Sequence, residues 1–305
     1  MKLLFLLDPL PKLKQHKDSS IAMMRAAARA GHEVWANDMG FASVGGKVVG
    51  QVMRLQISAE ASWYEVKEEG NKAFDYFDRI IERKDPPFDM EYVYRTYLLE
   101  LCATTVYNAP AAIRAHNEKL SILQHPDMIA PTIVTRDAAT LKAFVATHED
   151  TIFKPLDGMG GKGIFRVRKE DANLNVIIET LTKLGQETIM AQRYLPDILA
   201  GDKRILLIGG EVVPYALARI PAQGETRGNM AAGGRPVAQA LSDTDRHIAH
   251  TMAKRLLPKG LFLVGLDVIG DKLTEINVTS PTGFVEIEQQ SGFKVADLFI
   301  QHLCV

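Results

Sequence analysis

Cysteine is nearly absent from this chain. Cys102 and Cys304 are the only two in 305 residues, they lie far apart, and neither belongs to a C-x-x-C pair. That excludes a disulfide framework or a cysteine-ligated metal or redox centre, and a reducing compartment, the cytoplasm, is the expected location. A charge imbalance is also missing. The 36 Lys and Arg against 37 Asp and Glu leave a formal charge of −1, with the signs mixed, so there is no basic stripe for a phosphate backbone and nucleic acid is not an expected partner. Long apolar runs are lacking as well. The opening MKLLFLLDPLPK is interrupted by Asp8 and followed by no small-residue cleavage site, so it reads as a buried strand and not a signal peptide. No segment is long enough to span a bilayer, and no membrane partner is expected. Finally, the loop DPLPKLKQHKDSS after that first strand contains no glycine. A dinucleotide fingerprint is thereby excluded, because its glycines are what let the backbone approach a pyrophosphate.

What is present is an ordinary globular composition, 47% hydrophobic and 24% charged, in a chain long enough for two or three cores. Lys2 to Leu7 ends at Asp8-Pro9 as a strand leaving a parallel sheet buried on both faces. Asp18 or Ser19 caps a helix through Ile21, Met24 and Ala28 that stops at Gly31, and His32 to Ala36 returns as a strand. Val44 to Val48 is a hairpin candidate around Gly45-Gly46. Strand Asp78 to Ile81 opens onto RKDPPFD, a loop stiffened by Pro86 and Pro87 at the kind of strand end where α/β sheets hold ligands. There Arg83 and Lys84 either hold a substrate carboxylate or form a surface charge cluster. A helix from about Glu91 to Cys102, a strand from Thr105 to Asn108 and a helix from Ala111 to His116 close this first α/β domain. From Asn117 the texture changes: Lys119 opens a helix, Pro131 to Val134 enters a sheet, Leu141 to His148 is helical and Thr151 to Pro155 is a strand presenting Lys154.

Chemistry gathers downstream. Asp157 to Gly163 (DGMGGKG) has four glycines between two strands, a loop whose backbone N–H groups can converge on an anion; it has neither the pattern nor the following helix of a Walker A loop, and the plain alternative is a loose hairpin. Ile189 to Tyr194 is an apolar strand broken by Pro196; it either offers backbone groups to an adenine edge or simply links two lobes. Arg204 and Arg219 stand at strand ends, suited to bidentate contact with carboxylate or phosphate. Ala222 to Arg235 holds four glycines with Thr226, Arg227 and Asn229 among them, the composition of a lid over a water-sensitive intermediate. Asp243 to Leu257 is a helix on which His247 and His250 are surface residues and not a metal pair. The stretch GLDVIGDKLTEINVTSPT then places Glu275 and Asn277 on one face of a strand, since side chains alternate. Oxygen donors without Cys or His suit a hard cation such as Mg²⁺ that shares its shell with phosphates, though an isolated E-x-N also fits a solvated hairpin. A plain two-residue Gly270-Asp271 turn would pair Asp267 with Thr274 and turn Glu275 to the opposite face, so a shared site requires an irregularity in the hairpin, which is expected.

Five ordered segments, KPLDGMGGKGIFRV, MAQRYLP, GDKRIL, ARIPAQGETRGNMAAGGR and VGLDVIGDKLTEINVTSPT, together resemble the bacterial glutathione synthetases of the ATP-grasp superfamily, as do KDSS and RKDPPFD nearer the start. The resemblance implies an N-terminal α/β domain with a parallel sheet, residues 1–117, followed by an ATP-grasp fold of two α+β lobes, a central lid lobe at 118–192 and a metal- and substrate-binding lobe at 193–305. It implies ligation of γ-glutamylcysteine with glycine through an acylphosphate, with ATP as co-substrate and Mg²⁺, or alternatively Mn²⁺, as the metal. Position by position, Lys119, Lys154, Gly158, Gly160, Gly161 and Asp202 fall on the nucleotide, with Gln192, Tyr194 and Leu195 as its hinge. Asp267, Glu275 and Asn277 correspond to metal ligands, Arg204 and Arg219 to groups beside the transferred phosphate, and Arg227 and Asn229 to the lid. A homo-oligomer, a tetramer, is the implied assembly. Another ATP-grasp carboxylate-amine ligase, of glutamate-adding or D-alanyl type, and a nucleotide-binding scaffold without turnover are the competing readings.

Overall fold

The structure is a computed structural model, and it describes residues 1–58, 62–158, 160–222, 228 and 233–304. Its first unit is a seven-stranded mixed sheet. β1 (Lys2–Leu6) is central and parallel to β2 (Glu33–Asn37) on one side and β6 (Arg79–Glu82) on the other, and β7 (Val106–Tyr107) extends the parallel part. The continuous apolar run of β1 is explained by its two covered faces. Leu3 and Phe5 join one core with Met24, whereas Leu4 and Leu6 join another with Trp35, Phe74 and Ile80. Helix α1 (Ser19–Arg29) starts where the Asp18 side chain accepts hydrogen bonds from the backbone N–H groups of Ser20 and Ile21. α2 (Met90–Leu99) and α3 (Pro110–Ala115) follow β6 and β7.

The expected hairpin tip belongs to a larger antiparallel ribbon. β3 (Ala42–Val44), β4 (Lys47–Ile57) and β5 (Tyr64–Ala73) add to the edge beyond β2. β4 alternates buried and less buried positions, but β5, YEVKEEGNKA, is exposed along most of its length and is held by its ladder, so it carries little apolar period.

The second unit is a four-stranded antiparallel sheet, order β10-β9-β11-β8, made by β8 (Thr132–Thr135), β9 (Asp150–Pro155), β10 (Phe165–Arg168) and β11 (Ile189–Arg193). α4 (Ala138–His148) and α5 (Leu174–Leu181) pack on it through Leu141, Phe144 and Ile178 against Phe153, Val167 and Ile189. The helix expected at Lys119 is a short 3-10 turn, Leu120–Gln124, whose entry is shaped by Asn117 accepting from the N–H groups of Lys119 and Leu120.

The third unit is a five-stranded antiparallel sheet, order β14-β13-β12-β15-β16. Its strands are β12 (Asp202–Ile208), β13 (Glu211–Ile220), β14 (Arg235–Ala240), β15 (Leu263–Ile269) and β16 (Lys272–Asn277). α6 (Asp243–Leu256) covers one face through Ile248, Met252 and Leu256. α7 (Phe284–Ser291) and α8 (Val295–Leu303) cover the other, where Phe284 and Phe299 share one core with Leu206 and Leu217 and with Leu3, Phe5 and Met24 of the first unit. The C-terminal helices therefore bind the first and third units together. No helix among the described residues is long and apolar enough to cross a membrane.

Candidate functional site

A cleft of about 1030 Å³ lies between the second and third sheets, lined from one side by β9, the glycine loop and the end of β11, and from the other by β12, β15 and β16. Its floor depends on the hairpin. Ile269 pairs with Lys272 and Val268 with Leu273 around the Gly270-Asp271 turn, but the register then shifts so that Asp267 pairs with Glu275. Thr274 is the extra residue, and its hydroxyl donates to the Asp267 carbonyl at 3.1 Å. This is the irregularity the sequence required. A bulge lets two residues oppose one, so Asp267, Glu275 and Asn277 all reach the same cleft.

Asp267 is 3% exposed and sits between two guanidinium groups. Arg204 Nε and Nη2 donate to its oxygens at 2.8 and 2.9 Å, and Arg219 Nη2 stands 2.9 Å from Oδ2. Burial alone would raise the Asp267 pKa, but the two arginines outweigh it and hold the carboxyl below its ordinary range. Asp202, opposite Arg219 in the β12–β13 ladder, is the contrary case. Its burial, with the Asp267 and Glu275 charges nearby, outweighs the Arg219 and Arg204 guanidiniums and pushes it up to about 7. Of the two acids, Asp267 is the one held more firmly in its charged form. Arg219 itself is driven further up, because Asp202 and Asp267 outweigh the burial that would lower it. It backs both acids and does not line the cleft, whereas Arg204 does.

Two lysines face these acids. Lys154 is fully buried, its Nζ donates to the Thr274 carbonyl at 3.3 Å, and burial lowers its pKa. Lys119 Nζ donates to the Gly158 carbonyl at 2.5 Å and stands 3.9 Å from Glu275, tying the glycine loop to the floor. Gly158, Gly160 and Gly161 line the cleft, and a side chain at Gly158 would meet Pro155 Cγ at 3.0 Å. At the hinge, the Gln192 amide donates to Thr132 Oγ1 at 2.9 Å and the Tyr194 N–H to the Asp150 carbonyl at 2.9 Å. The Arg166 guanidinium lies 3.6 Å over the Tyr194 ring. Neither the Tyr194 carbonyl nor the Leu195 N–H, the two polar ends of one peptide group, has a protein partner among the described residues.

The oxygen-only donor set fits a hard divalent cation. Asn277 Nδ2 donates to the Gly265 carbonyl at 3.1 Å, so its amide oxygen is the atom left for a ligand. Among the described residues no group of three or more His, Cys, Asp or Glu side chains is placed to hold a metal ion. Arg227 and Asn229 lie outside the described residues. Gly228 between them lines the cleft, and a Cβ there would stand 2.4 Å from the Arg219 carbonyl.

Of the two sequence alternatives for Arg83, the surface cluster is overturned. Arg83 is only 4% exposed; it donates to Ser20 Oγ and to the Pro281 carbonyl, each at 3.0 Å, and its Nη1 has no partner. Lys84, by contrast, pairs with Asp8 in a part-buried bridge. His247 and His250 are exposed, as read. The sequence reading passed over Glu118, whose Oε1 accepts from the N–H groups of Val278 and Thr279 and from the Thr279 hydroxyl at 2.9 to 3.2 Å. It also passed over Glu286, 9% exposed with Oε2 unpartnered. A carboxylate beside Lys119 was a visible signal for the first; nothing local marked the second.

Two family models cover the chain: prokaryotic glutathione synthetase, N-terminal domain, over residues 1–114, and prokaryotic glutathione synthetase, ATP-grasp domain, over residues 118–292. The glutathione synthetase of Bordetella parapertussis is 54% identical over 309 residues, spanning 98% of this chain and 97% of that protein. That of Pseudomonas aeruginosa is 50% identical, spanning 97% and 95%. Among solved structures, D-cycloserine synthetase DcsG is similar with a TM-score of 0.70 at 15% identity, covering 99% of this chain and 98% of that one. The ATP-grasp ligase PsnB, solved with Mg and ADP, is similar with a TM-score of 0.61 at 17% identity, covering 99% and 97%. At such identities the likeness is one of fold.

Proposed function

The chain belongs to the prokaryotic glutathione synthetase family, and from that premise we infer that it is an ATP-dependent ligase joining γ-glutamylcysteine to glycine with release of ADP and phosphate. The observation that carries the reading to residues is the bulge at Thr274, which turns Asp267, Glu275 and Asn277 toward one cleft opposite Lys119 and Lys154.

A carboxylate is a poor electrophile, and transfer of the γ-phosphoryl group to it makes an acylphosphate that an amine can open. The cysteinyl carboxylate of γ-glutamylcysteine attacks phosphorus, and the glycine amine then displaces phosphate. Lys119 and Lys154 hold phosphate oxygens, and the backbone of Gly158, Gly160 and Gly161 closes over them. Gln192, Tyr194 and Leu195, which line the cleft, are the proposed hinge for the adenine. Arg204 meets the developing charge on the transferred group, an effect worth about 3 kcal/mol for one good donor. Asp202 and Arg219 position Arg204 and Asp267. Mg²⁺, or Mn²⁺, is the cation proposed for Asp267, Glu275 and Asn277; when bound it neutralises β- and γ-phosphoryl charge. Arg227 and Asn229 belong to a lid that keeps water from the acylphosphate. Arg83, buried with one unpaired N–H group, is the proposed holder of a donor carboxylate.

The proposed units are 1–117, 118–192 and 193–305, the proposed location is the cytoplasm, and no nucleic-acid or membrane partner is proposed. A homo-oligomer on the family pattern, a tetramer, is supported by the exposed Met90, Tyr94 and Tyr97 along one face of α2. ADP release with γ-glutamylcysteine, with and without glycine, tests the reaction. Turnover that needs both substrates is the expected result, and turnover with a different acyl donor alone would sink the reading.

A further inference from the structure

A second, smaller pocket, about 380 Å³, opens off the nucleotide cleft and shares Glu118, Lys119 and Gly158 with it. Pro86 and Phe88 of the RKDPPFD loop and Leu156 at the base of the glycine loop give it an apolar wall, and His116, Asn117, Asp157 and Thr279 complete it. His116 is 7% exposed, and its Nδ1 lies 2.7 Å from the Ala112 carbonyl. A carbonyl only accepts, so Nδ1 carries a proton; in the neutral ring Nε2 is then the acceptor, and it has no protein partner among the described residues.

We propose that this pocket takes the thiol-bearing side chain of the acyl donor, with His116 Nε2 accepting from the S–H group; the proposal rests on the ligase reading above. Charge narrows the occupant. Lys119, the cation at the pocket, donates to the Gly158 carbonyl and stands 3.9 Å from Glu275, and the pocket also holds Asp157 and Glu118. A second carboxylate, from glycine or from the γ-glutamyl end, would meet two acids there, with Lys119 already facing the reacting carboxyl and the phosphate. Connectivity narrows it further. The sulfur sits on the carbon next to the one bearing the reacting carboxyl, so a donor with its carboxyl by Lys119 reaches the adjoining pocket with its thiol, while its distant ammonium does not. An apolar wall with a neutral ring nitrogen beside it suits a weak, soft donor.

The test compares kcat/KM for γ-glutamylcysteine and for γ-glutamyl-α-aminobutyrate, which has a methyl in place of the thiol, with the full chain. The wild type should favour the thiol by about fivefold, the scale of one net hydrogen bond between neutral groups. His116→Asn keeps an N–H for the Ala112 carbonyl but removes the acceptor, and should bring the ratio to near unity; His116→Gln, with its amide nearer the Nε2 position, should recover part of it. Because Phe88 is only half buried, Phe88→Ala is a second variant that should admit γ-glutamyl-S-methylcysteine, which the wild type rejects. A thiol preference unchanged in His116→Asn, or an S-methyl donor equally poor in Phe88→Ala, would overturn the assignment while leaving the ligase reading intact. No ADP release by the wild type with γ-glutamylcysteine and glycine would overturn both.

Discussion

The two walls of the cleft are made of opposite materials. The wall on the third sheet is a bulged hairpin with Asp202, Asp267, Arg204 and Arg219 locked in a buried ion cluster, while the wall on the second sheet is a glycine loop whose Gly158 carbonyl accepts from Lys119. Charges that must meet a cation and a phosphate are preorganised where packing is dense. The part that must open for a nucleotide is built where side chains are few. Rigidity and adaptability are thus assigned to different sheets, and substitutions on the two walls should fail in different ways.

The sharpest separation is Glu275→Gln, which keeps the shape of the hairpin and removes a ligand charge. Turnover should fall by about a hundredfold or more while the circular dichroism spectrum stays that of the wild type, the size of effect seen when a preorganised charge in a reaction centre is lost; full activity at ordinary Mg²⁺ would count against the cation assignment. Next is Asp267→Asn. Two buried guanidiniums then lose their shared partner, and urea denaturation should show a loss of about 3–5 kcal/mol. A fall of well under that amount would mean the cluster is less dry than the 3% exposure of Asp267 indicates.

A pH series on the protein without nucleotide or metal sharpens the contrast within the rigid wall. Asp202 has a folded pKa raised to about 7 from an ordinary 3.8, so the folded state holds its proton more tightly. Its contribution to stability is present below the ordinary pKa and is lost as pH rises through about 7. Asp202→Asn should therefore flatten the decline between those limits in a plot of denaturation midpoint against pH, and an unchanged slope would remove Asp202 as its source. The smallest effect belongs to the loop. Gly160→Ala meets no atom within 4 Å but must adopt a φ of +63, a strain of about 1 kcal/mol. The melting temperature should shift by only a few degrees; a loss as large as that of Asp267→Asn would erase the distinction between the walls.

Much of this was legible before any coordinates. The strand alternation of Glu275 and Asn277, the need for an irregular hairpin, the glycine loop beside Lys154 and the parallel strands around Lys2–Leu6 all follow from local rules about which way successive side chains point. The β4–β5 ribbon was less legible because β5 buries almost nothing and so leaves no period to read. Arg83 illustrates the other kind of miss, since a charged residue in a proline-bounded loop looks exposed until the 280–281 segment and α1 are laid over it.

By itself the amino-acid sequence determined which groups could act here: oxygen donors at a spacing of two, lysines at strand ends, glycines where a backbone must approach an anion. Only the tertiary structure decided their partners and the fields they feel, placing Asp267 between two arginines, raising the Asp202 pKa by burial, and setting His116 beside a pocket with an apolar wall. The reason is physical. The direction of a side chain is set by dihedral angles within a few residues, whereas its desolvation and the field it feels come from segments far away in the chain, which no local pattern encodes.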